Sequence, residues 1–302
     1  MKSKRAKSLQ RVGGKTMLEM ICKTAESIST KITLIVGFDK NSIINESKSF
    51  DFEISTCEQA SPIGTGDAVK CGINEVDDAD KVLVLYGDVP LIKKETLENL
   101  VSIDDKSLTI LSTKVDNPFG YGRVIKDNDG NVTQIIEEKD ASNADKKISE
   151  IFTGILCCNK ILLAEALKEI KNDNAAGEYY LTDIVSIINK KGFKIKTCIV
   201  SNEEVKGANT KKELSELEET FRKMKSEDLL EMGITISDPN RVDVRGKVSA
   251  GTDCNIDVNV ILDGVVKLGD NVSIGPNTIL KDVEIGNNCL LYTSDAADEF
   301  SC

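Results

Sequence analysis

The chain has 302 residues, of which 40% are hydrophobic, and this is enough for about two domains with proper cores. It contains no tryptophan and only 4% aromatic residues, so stacking platforms for nucleic acid are not expected. Acidic residues outnumber basic ones by 50 to 39, and no basic run extends past the first few residues. This balance argues against nucleic acid or a membrane surface as partner.

The cysteines and the lack of histidine limit the kinds of catalytic and metal sites that the chain can form. The nine cysteines are irregularly spaced, without a Cys-x-x-Cys pair, and predict reduced core thiols of a cytosolic protein. No apolar run reaches membrane-spanning length, and no signal-peptide core follows the first residues. The sequence contains no histidine, which excludes histidine general bases, triads and imidazole metal sites.

Up to residue 200 the pattern predicts alternating helices and strands. Helices are predicted at 18–28, 67–76, 94–102, 160–170 and 180–190, with a further short one before the second strand. Strands are predicted at 31–37, 52–57, 82–86, 108–113, 155–158 and 193–200. This alternation favours an α/β fold with a parallel sheet covered on both faces. Residues 121–125 and 132–138 flank an Asp-Asn-Asp-Gly-Asn turn, which predicts an inserted antiparallel hairpin.

After this region the composition changes. Residues 210–232 are rich in Lys and Glu, with Leu214, Leu217 and Phe221 on one face, and predict a long exposed linker helix ended by Gly233. Beyond it an aliphatic residue or alanine recurs every six residues: Val244, Ala250, Ile256, Leu262, Leu268, Ile274 and Leu280. Asp or Gly often follows, and Ile285 comes one residue early. This period predicts a parallel β-helix whose anchors point inward, here of about two and a half coils and expected to be incomplete.

The last residues abandon the six-residue period. One back-translation of the segment from Cys289 to Glu299 resembles a transposon adapter used in shotgun sequencing. We therefore expect residues 289–302 to be a non-native tail. The alternative is a genuine disordered tail.

The strand at 82–86 is the centre of the expected site. An aliphatic run ends there in Gly87 and Asp88, followed by a proline. Open α/β sheets bind ligands at the carboxyl ends of their strands, and an aspartate at that rim suits a Mg²⁺ ion that carries a phosphate. The alternative is that Gly-Asp-Val-Pro is only a turn.

A second candidate segment lies between a predicted strand and a predicted helix. Gly64 and Gly66 allow the backbone close to a ligand, and Thr65 with exposed N–H groups could donate to a base or phosphate. By itself, Gly-Thr-Gly is also typical of an ordinary loop with a helix cap.

Together these segments resemble the family of bacterial bifunctional N-acetylglucosamine-1-phosphate uridylyltransferases/glucosamine-1-phosphate acetyltransferases, from residue 1 to about 288. The resemblance rests on Lys7 with Gly14 and Lys15, on the segments at 59–66, 86–91 (Tyr-Gly-Asp-Val-Pro-Leu), 120–123 (Gly-Tyr-Gly-Arg), 136–140, 177–183 (Gly-Glu-Tyr-Tyr-Leu-Thr-Asp) and 205–209, and on the hexads. It implies a Rossmann-like nucleotidyltransferase domain joined through a helix to a short left-handed parallel β-helix. It also implies transfer of UMP from UTP to N-acetylglucosamine-1-phosphate, with Mg²⁺, and a homotrimer for the full-length protein.

The resemblance also assigns site residues position by position. Asp88 and Asn209 match the family's Mg²⁺ ligands, and Lys7 matches the lysine near the phosphates. The expected catalytic residues are therefore Lys7 and Asp88. The remaining expected substrate contacts are uracil contacts at Gln59, Gly64 and Thr65, and contacts to the sugar nucleotide at Tyr86, Gly87, Gly122 and Glu137.

Other interpretations of single residues stay open. Lys7 lies in a basic start where a lysine is usually solvated, and Glu137 lies in an acidic hairpin of the same character. Asn209 precedes the linker helix and would ordinarily be its N-cap.

The resemblance also implies domain boundaries: 1–211 for nucleotidyl transfer, without the family's first strand and Gly-rich loop, 212–232 for the linker, 233–288 for the start of the β-helix, and 289–302 for the tail.

Three departures from the family pattern matter. Met1 aligns with the last residue of the family's Gly-rich motif, so we expect these residues to transfer uridylyl groups poorly or not at all. Phe152 stands before Thr-Gly where the family has Asn. The family's acetyltransferase uses a histidine in later coils, so that activity is not expected here. The alternatives are another sugar-1-phosphate nucleotidyltransferase, or a non-catalytic sugar-nucleotide-binding or scaffold protein.

Overall fold

A computed structural model describes residues 1, 3–29, 31–76, 79–103 and 107–292. The strands are β1 (Arg11–Val12), β2 (Lys15–Thr16), β3 (Thr33–Val36), β4 (Ser55–Glu58), β5 (Lys81–Val84), β6 (Leu108–Lys114), β7 (Arg123–Lys126), β8 (Val132–Ile136), β9 (Glu150–Asn159), β10 (Lys196–Ile199), β11 (Thr235–Ile236), β12 (Val242–Ala250), β13 (Asn255–Ile256), β14 (Val260–Leu268), β15 (Ser273–Ile274), β16 (Ile279–Ile285) and β17 (Leu290–Leu291). The helices are α1 (Met17–Glu26), α2 (Lys40–Ser47), α3 (Thr65–Ile73), α4 (Lys94–Ser102), α5 (Lys160–Glu169), α6 (Asp183–Lys190) and α7 (Lys211–Glu231).

The chain divides into two compact units. The first contains Met1–Gln10 and Thr16–Ala208, and the second contains Arg11–Lys15 and the chain from Asn209 onward. The short segment belongs to the second unit because the Gly13 N–H donates to Glu218 Oε2 in α7 at 2.9 Å. The domain boundaries expected from the sequence stay a prediction.

The first unit is an α/β fold around a mixed sheet. Its strand order is β10-β6-β9-β7-β8, with β5 beside β9, and β3 and β4 form a separate parallel pair. Successive residues of β9 alternate between two buried clusters: Leu156 and Cys158 pack in one, Ile155 and Cys157 in the other. Since side chains of a strand point alternately to opposite faces, the sheet is covered on both sides. The predicted alternation of strands and helices is therefore confirmed.

The predicted direction of the central strand is wrong. The sequence predicts a buried parallel strand at 82–86, whereas β5 pairs antiparallel with β9, with Val82 opposite Cys158 and Val84 opposite Leu156. All residues of β5 are only half-buried. An aliphatic run identifies a strand but carries no information on the direction of its partner.

The predicted hairpin is confirmed. β7 and β8 pair antiparallel, with Arg123 opposite Ile136 and Val124 opposite Ile135. Asp127 closes the turn between them because its Oδ1 accepts from the Asn131 N–H at 2.8 Å. The hairpin carries the segment with Gly122 before it and Glu137 after it.

The second unit begins with α7 and continues as two stacks of parallel strands. One stack is β11-β13-β15-β17 and the other is β12-β14-β16. Paired residues such as Val242 and Val260, or Ile256 and Ile274, lie three hexads apart in sequence. Five of the seven predicted anchors are buried in one core, and Ala250 and Leu280 pack against it. The inward orientation predicted for the anchors is confirmed.

The early position of Ile285 has a structural counterpart. The register between β14 and β16 shifts between Asp263 and Val266, so that Leu268 pairs with Ile285. At this point β16 has one residue fewer than β14, and Asp282 there has a left-handed backbone with a φ of 47°. Leu291 in β17 pairs with Ile274, and residues 293–302 of the expected tail lie outside the described residues.

Two findings bear on earlier expectations. Every cysteine in the described part of the chain is a free thiol, and Cys22, Cys157, Cys158 and Cys254 are buried. None of the helices that the structure describes has the length and apolar character needed to cross a membrane.

Candidate active site

The loop at residues 59–65 is held by its own side chains. Gln59 Nε2 donates to the Gly64 carbonyl at 3.0 Å and to Asp67 Oδ2 at 2.8 Å. Asp67 lies in the first turn of α3, so the loop is fixed to the helix that follows it. The Gln59 amide oxygen keeps its acceptor capacity, because an amide accepts through oxygen and donates through nitrogen.

The same loop is closed by the segment at 179–181. The Tyr179 N–H donates to the Ile63 carbonyl at 2.8 Å, and the Leu181 N–H donates to Thr65 Oγ1 at 3.0 Å. Gly64 has a φ of 133°, and a Cβ there would collide with the Tyr179 backbone. Glycine is therefore required at this position for both conformation and space.

Tyr86 lies on the far side of Thr65. A hydrogen bond joins their side chains, and Gly154 lies directly against the Tyr86 ring, where a Cβ would come within 2.6 Å. Burial raises the pKa of the Tyr86 hydroxyl to about 12, opposed by the hydrogen bond with Thr65 and reinforced by Glu137 and Asp88. The phenol is therefore neutral at physiological pH and is a donor and acceptor rather than a base.

Glu137 and Gly122 lie together at the end of the β7–β8 hairpin. The Thr182 hydroxyl donates to Glu137 Oε1 at 3.0 Å, and a Cβ on Gly122 would lie 3.5 Å from Glu137 Oε2. Burial raises the pKa of Glu137, Asp140 adds to the increase, and the Thr182 hydrogen bond opposes it. Glu137 is thus a positioned, desolvated carboxylate rather than a solvated surface group.

Lys7 and Asp88 form an ion pair. Lys7 Nζ contacts Asp88 Oδ2, and the aspartate side chain is 17% exposed. Residues 86–89 form a turn, with the Val89 N–H donating to the Tyr86 carbonyl at 3.2 Å, so the turn predicted as an alternative is present and carries Asp88. A Cβ on Gly207 would lie 3.3 Å from Asp88 Oδ2, and one on Gly87 would lie 3.5 Å from the Ser8 Cβ. Gly207 therefore packs directly against the carboxylate.

Asn209 belongs to the second unit. Its N–H donates to Glu213 Oε2 at 2.6 Å. The N-cap of α7 is Thr210, not Asn209, because the Thr210 hydroxyl accepts from the Glu213 N–H and Glu213 accepts from the Thr210 N–H. The Asn209 side chain is therefore not the helix cap, and its role as a metal ligand stays a prediction.

Phe152, which stands in place of the family's asparagine, is buried and packs in the core of the first unit. Its N–H donates to the Gly122 carbonyl at 2.8 Å. An aromatic side chain here offers no hydrogen bond to a sugar, as the sequence comparison implied.

Within the first unit, then, the expected residues come together around Tyr86. Its side chain forms a hydrogen bond with Thr65, and burial together with the negative charges of Glu137 and Asp88 raises its pKa. Sequence reasoning assigned no role to Thr182 or Gly207. Both lie in motifs that it had singled out, at 177–183 and 205–209. Those motifs were the signal that could have identified them.

Comparisons with known proteins show what the chain is similar to. A family model described as a MobA-like NTP transferase domain matches residues 1–127. The bifunctional protein GlmU of Psychrobacter sp. is 41% identical over 287 residues, covering 94% of this chain and 63% of that protein. The bifunctional protein GlmU of Methylococcus capsulatus is 43% identical over 290 residues, covering 95% of this chain and 62% of that protein. The chain thus spans less than two thirds of the length of these relatives.

Two solved structures share the fold. A nucleoside-diphosphate-sugar pyrophosphorylase from Vibrio cholerae superposes with a TM-score of 0.55 at 18% identity, covering 72% of this chain and 93% of that one. HddC from Yersinia pseudotuberculosis gives a TM-score of 0.51 at 19% identity, covering 73% of this chain and 92% of that one. At these identities the likeness concerns the fold alone. The chain is therefore similar to GlmU proteins over nearly its whole length, and residues 1–127 match a nucleotidyltransferase domain.

Proposed function

We propose that the full-length protein transfers UMP from UTP to N-acetylglucosamine-1-phosphate, in a Mg²⁺-dependent reaction that releases pyrophosphate and takes place in the first unit. The observation that supports this most directly is the Lys7–Asp88 ion pair, whose aspartate lies in the turn that follows β5. A metal–triphosphate complex needs both groups, because the carboxylate binds the metal ion and the lysine neutralises phosphate charge.

The residues fit a magnesium ion. Asp88 offers a hard carboxylate oxygen, the kind of ligand that Mg²⁺ prefers. No group of three or more acidic, Cys or His side chains within the described ranges could hold a metal by itself. This favours an ion that takes its other ligands from phosphate and water, as Mg²⁺ commonly does. The metal-ligand role that the resemblance implies for Asn209 stays a prediction. Bound there, the ion would neutralise phosphate charge.

The protein's own groups would position the two substrates. The sugar phosphate attacks the α-phosphorus of UTP and pyrophosphate leaves, so alignment and charge neutralisation supply most of the catalysis. Gln59, Gly64 and Thr65 are proposed to hold uracil. Lys7 is proposed to lie against the phosphates.

The sugar is proposed to contact the side of Tyr86 opposite to the uracil. Glu137 would accept a hydrogen bond from a sugar hydroxyl, because it is a desolvated carboxylate already oriented by Thr182. Gly122 and Gly87 would allow the ligand close to the backbone.

For the second unit we propose the start of a left-handed parallel β-helix. Its support is the offset of three hexads between paired strands and the common core of the anchors. In the full-length protein such units are proposed to associate as a homotrimer. No acetyltransferase activity is proposed for these residues, since the sequence contains no histidine.

The test measures binding beside turnover, because binding reports the nucleotide pocket even where chemistry is slow. UDP-N-acetylglucosamine is titrated into the protein by calorimetry with and without Mg²⁺. Asp88→Asn is expected to remove the Mg²⁺-dependent part of the affinity and to lower any turnover by about 100-fold. Asp116→Asn, which removes the same charge from an exposed position, is the control and should change neither.

Two results would contradict the proposal. Binding that ignores Mg²⁺ and is unaffected by Asp88→Asn would indicate a non-catalytic sugar-nucleotide-binding protein. Tighter binding of thymidine or guanosine diphosphate sugars in a nucleotide panel would indicate a different sugar-1-phosphate nucleotidyltransferase.

A further inference from the structure

A polar cleft, separate from the candidate active site, lies within the second unit between α7 and the first strands of the parallel stacks. Its volume is about 440 Å³, within the usual range for a small-molecule site. Arg222 of α7 and Arg241, just before β12, line it together with Asn240 and Asn259. Half-buried Ile261 contributes its apolar wall, above the fully buried Val242 and Val260.

Arg241 is held in position by a ladder of asparagines. Its Nε donates to Asn259 Oδ1 at 3.1 Å, and Asn259 Nδ2 donates to Asn277 Oδ1 at 2.8 Å. Both asparagines adopt left-handed backbone conformations, with φ of 61° and 62°. The bond through Nε leaves the two terminal amino groups of Arg241 as an oriented pair of donors.

The positive charge of the cleft is not neutralised from within. No carboxylate pairs with Arg222 or Arg241 in the part of the chain that the structure describes. Asp243 also lines the cleft, but Arg245 engages it at 2.9 and 2.5 Å. Its negative charge is therefore compensated.

The surface next to the cleft carries charges of both signs. A smaller cavity of about 190 Å³ shares Arg222 and Asn240 and adds Lys223 and Glu219. Two uncompensated guanidinium groups converge in a protein whose net charge is −11. Such a site attracts anions against the field of the whole molecule.

We propose that this cleft binds the phosphate or diphosphate group of a small phosphorylated ligand, clamped between Arg222 and Arg241. Guanidinium groups donate two parallel hydrogen bonds to a phosphoryl group, and the Asn240 amide adds a further donor. The apolar wall would take the rest of the ligand. The site lies wholly in the second unit and uses none of the residues proposed for uridylyl transfer.

The experiment titrates inorganic pyrophosphate into the whole 302-residue protein in Mg²⁺-free buffer, by calorimetry. Arg241→Gln and Arg222→Gln are each expected to weaken binding by about tenfold or more, since each removes charge-assisted hydrogen bonds. Lys247→Gln removes the same charge from an exposed position of β12 and should leave the affinity unchanged. Lys7→Gln removes the lysine proposed to contact phosphates in the first unit, so it separates any pyrophosphate binding there from binding in the cleft.

Further arms identify the source of the phosphoryl group and test the geometry. Inorganic phosphate, uridine diphosphate and a sugar phosphate are compared with pyrophosphate, and the tightest names the ligand class. Arg241→Lys retains the charge but loses the oriented donors, so it should weaken binding nearly as much as Arg241→Gln. Thermal unfolding without ligand checks that each variant is folded.

Three outcomes would overturn the proposal. The first is binding that is equal in wild type, Arg222→Gln and Arg241→Gln. The second is loss of binding in Lys7→Gln alone, which would assign the pyrophosphate to the first unit. The third is a changed oligomeric state in the arginine variants, by sedimentation, without a change in phosphate affinity.

Discussion

Asp183 is a half-buried carboxyl at the start of α6, close to other acids. Burial raises its pKa to about 6, and Glu137, Asp140 and Asp173 reinforce the increase. A carboxyl whose pKa is higher in the folded than in the unfolded state binds more protons when folded. Between pH 3.8, its ordinary pKa, and about pH 6, folding stability must therefore fall as the pH rises.

Replacement of this carboxyl by a neutral amide should remove that loss. We expect Asp183→Asn to stabilise the protein at pH 7.5 by about 1 kcal/mol, after allowance for solvent screening of a half-exposed group. The difference should shrink towards zero near pH 4. Urea unfolding across this pH range measures it. Asp129→Asn in the exposed turn of the hairpin is the control, and an equal pH profile for the two variants would refute the expectation.

Single residues also mark how far sequence reasoning reaches. The loop at 59–65 and the turn with Asp88 were identified from glycines and a carboxylate at strand ends, which are local signals. The bond from the Leu181 N–H to Thr65 joins residues 116 positions apart, and no spacing encodes it. The same holds for the contact of Thr182 with Glu137. The candidate site was therefore predicted in its parts, and its closure was not.

At the scale of elements, periodicity identified helices and strands better than it identified their partners. α4 and α7 begin and end within a residue of their predicted bounds. The antiparallel direction of β5 was missed because an aliphatic run looks the same in either orientation. The hexads predicted which side chains of the second unit face its core, because their period repeats with the stacked strands.

The start of α7 shows a local signal with a measurable energy. Thr210 and Glu213 form a capping box, with each side chain accepting from the other's N–H at 3.1 and 3.2 Å. We expect Thr210→Ala to lower the free energy of unfolding by about 1 kcal/mol, because an N–H at the helix start loses its partner. Denaturant unfolding followed by circular dichroism measures the change.

The control is the same substitution in the middle of the helix. Thr220 donates back to the Glu216 carbonyl at 2.9 Å and caps nothing. Thr220→Ala should be neutral or slightly stabilising, since alanine is the better helix former. Equal losses for the two variants would mean that the capping box has no energetic role.

For the molecule as a whole, the core is divided. The two clusters of the first unit and the cluster of the second unit have no residue in common. Leu262 is fully buried in the second unit, and Ile155 is fully buried in the first. Since each unit buries its own apolar side chains, we expect each to unfold in a separate cooperative transition.

Matched core truncations test this division by calorimetry. Leu262→Ala and Ile155→Ala should each cost about 2–5 kcal/mol, through lost burial and the cavity left behind. We expect each to lower the unfolding temperature of one transition and leave the other in place. Ile279→Ala, at a position of β16 that is 67% exposed, should change neither by much because little apolar surface is lost from the core. If both core truncations moved one and the same transition, the units would unfold as a single cooperative structure, and the stability of the nucleotidyltransferase domain would depend on the strands stacked behind α7.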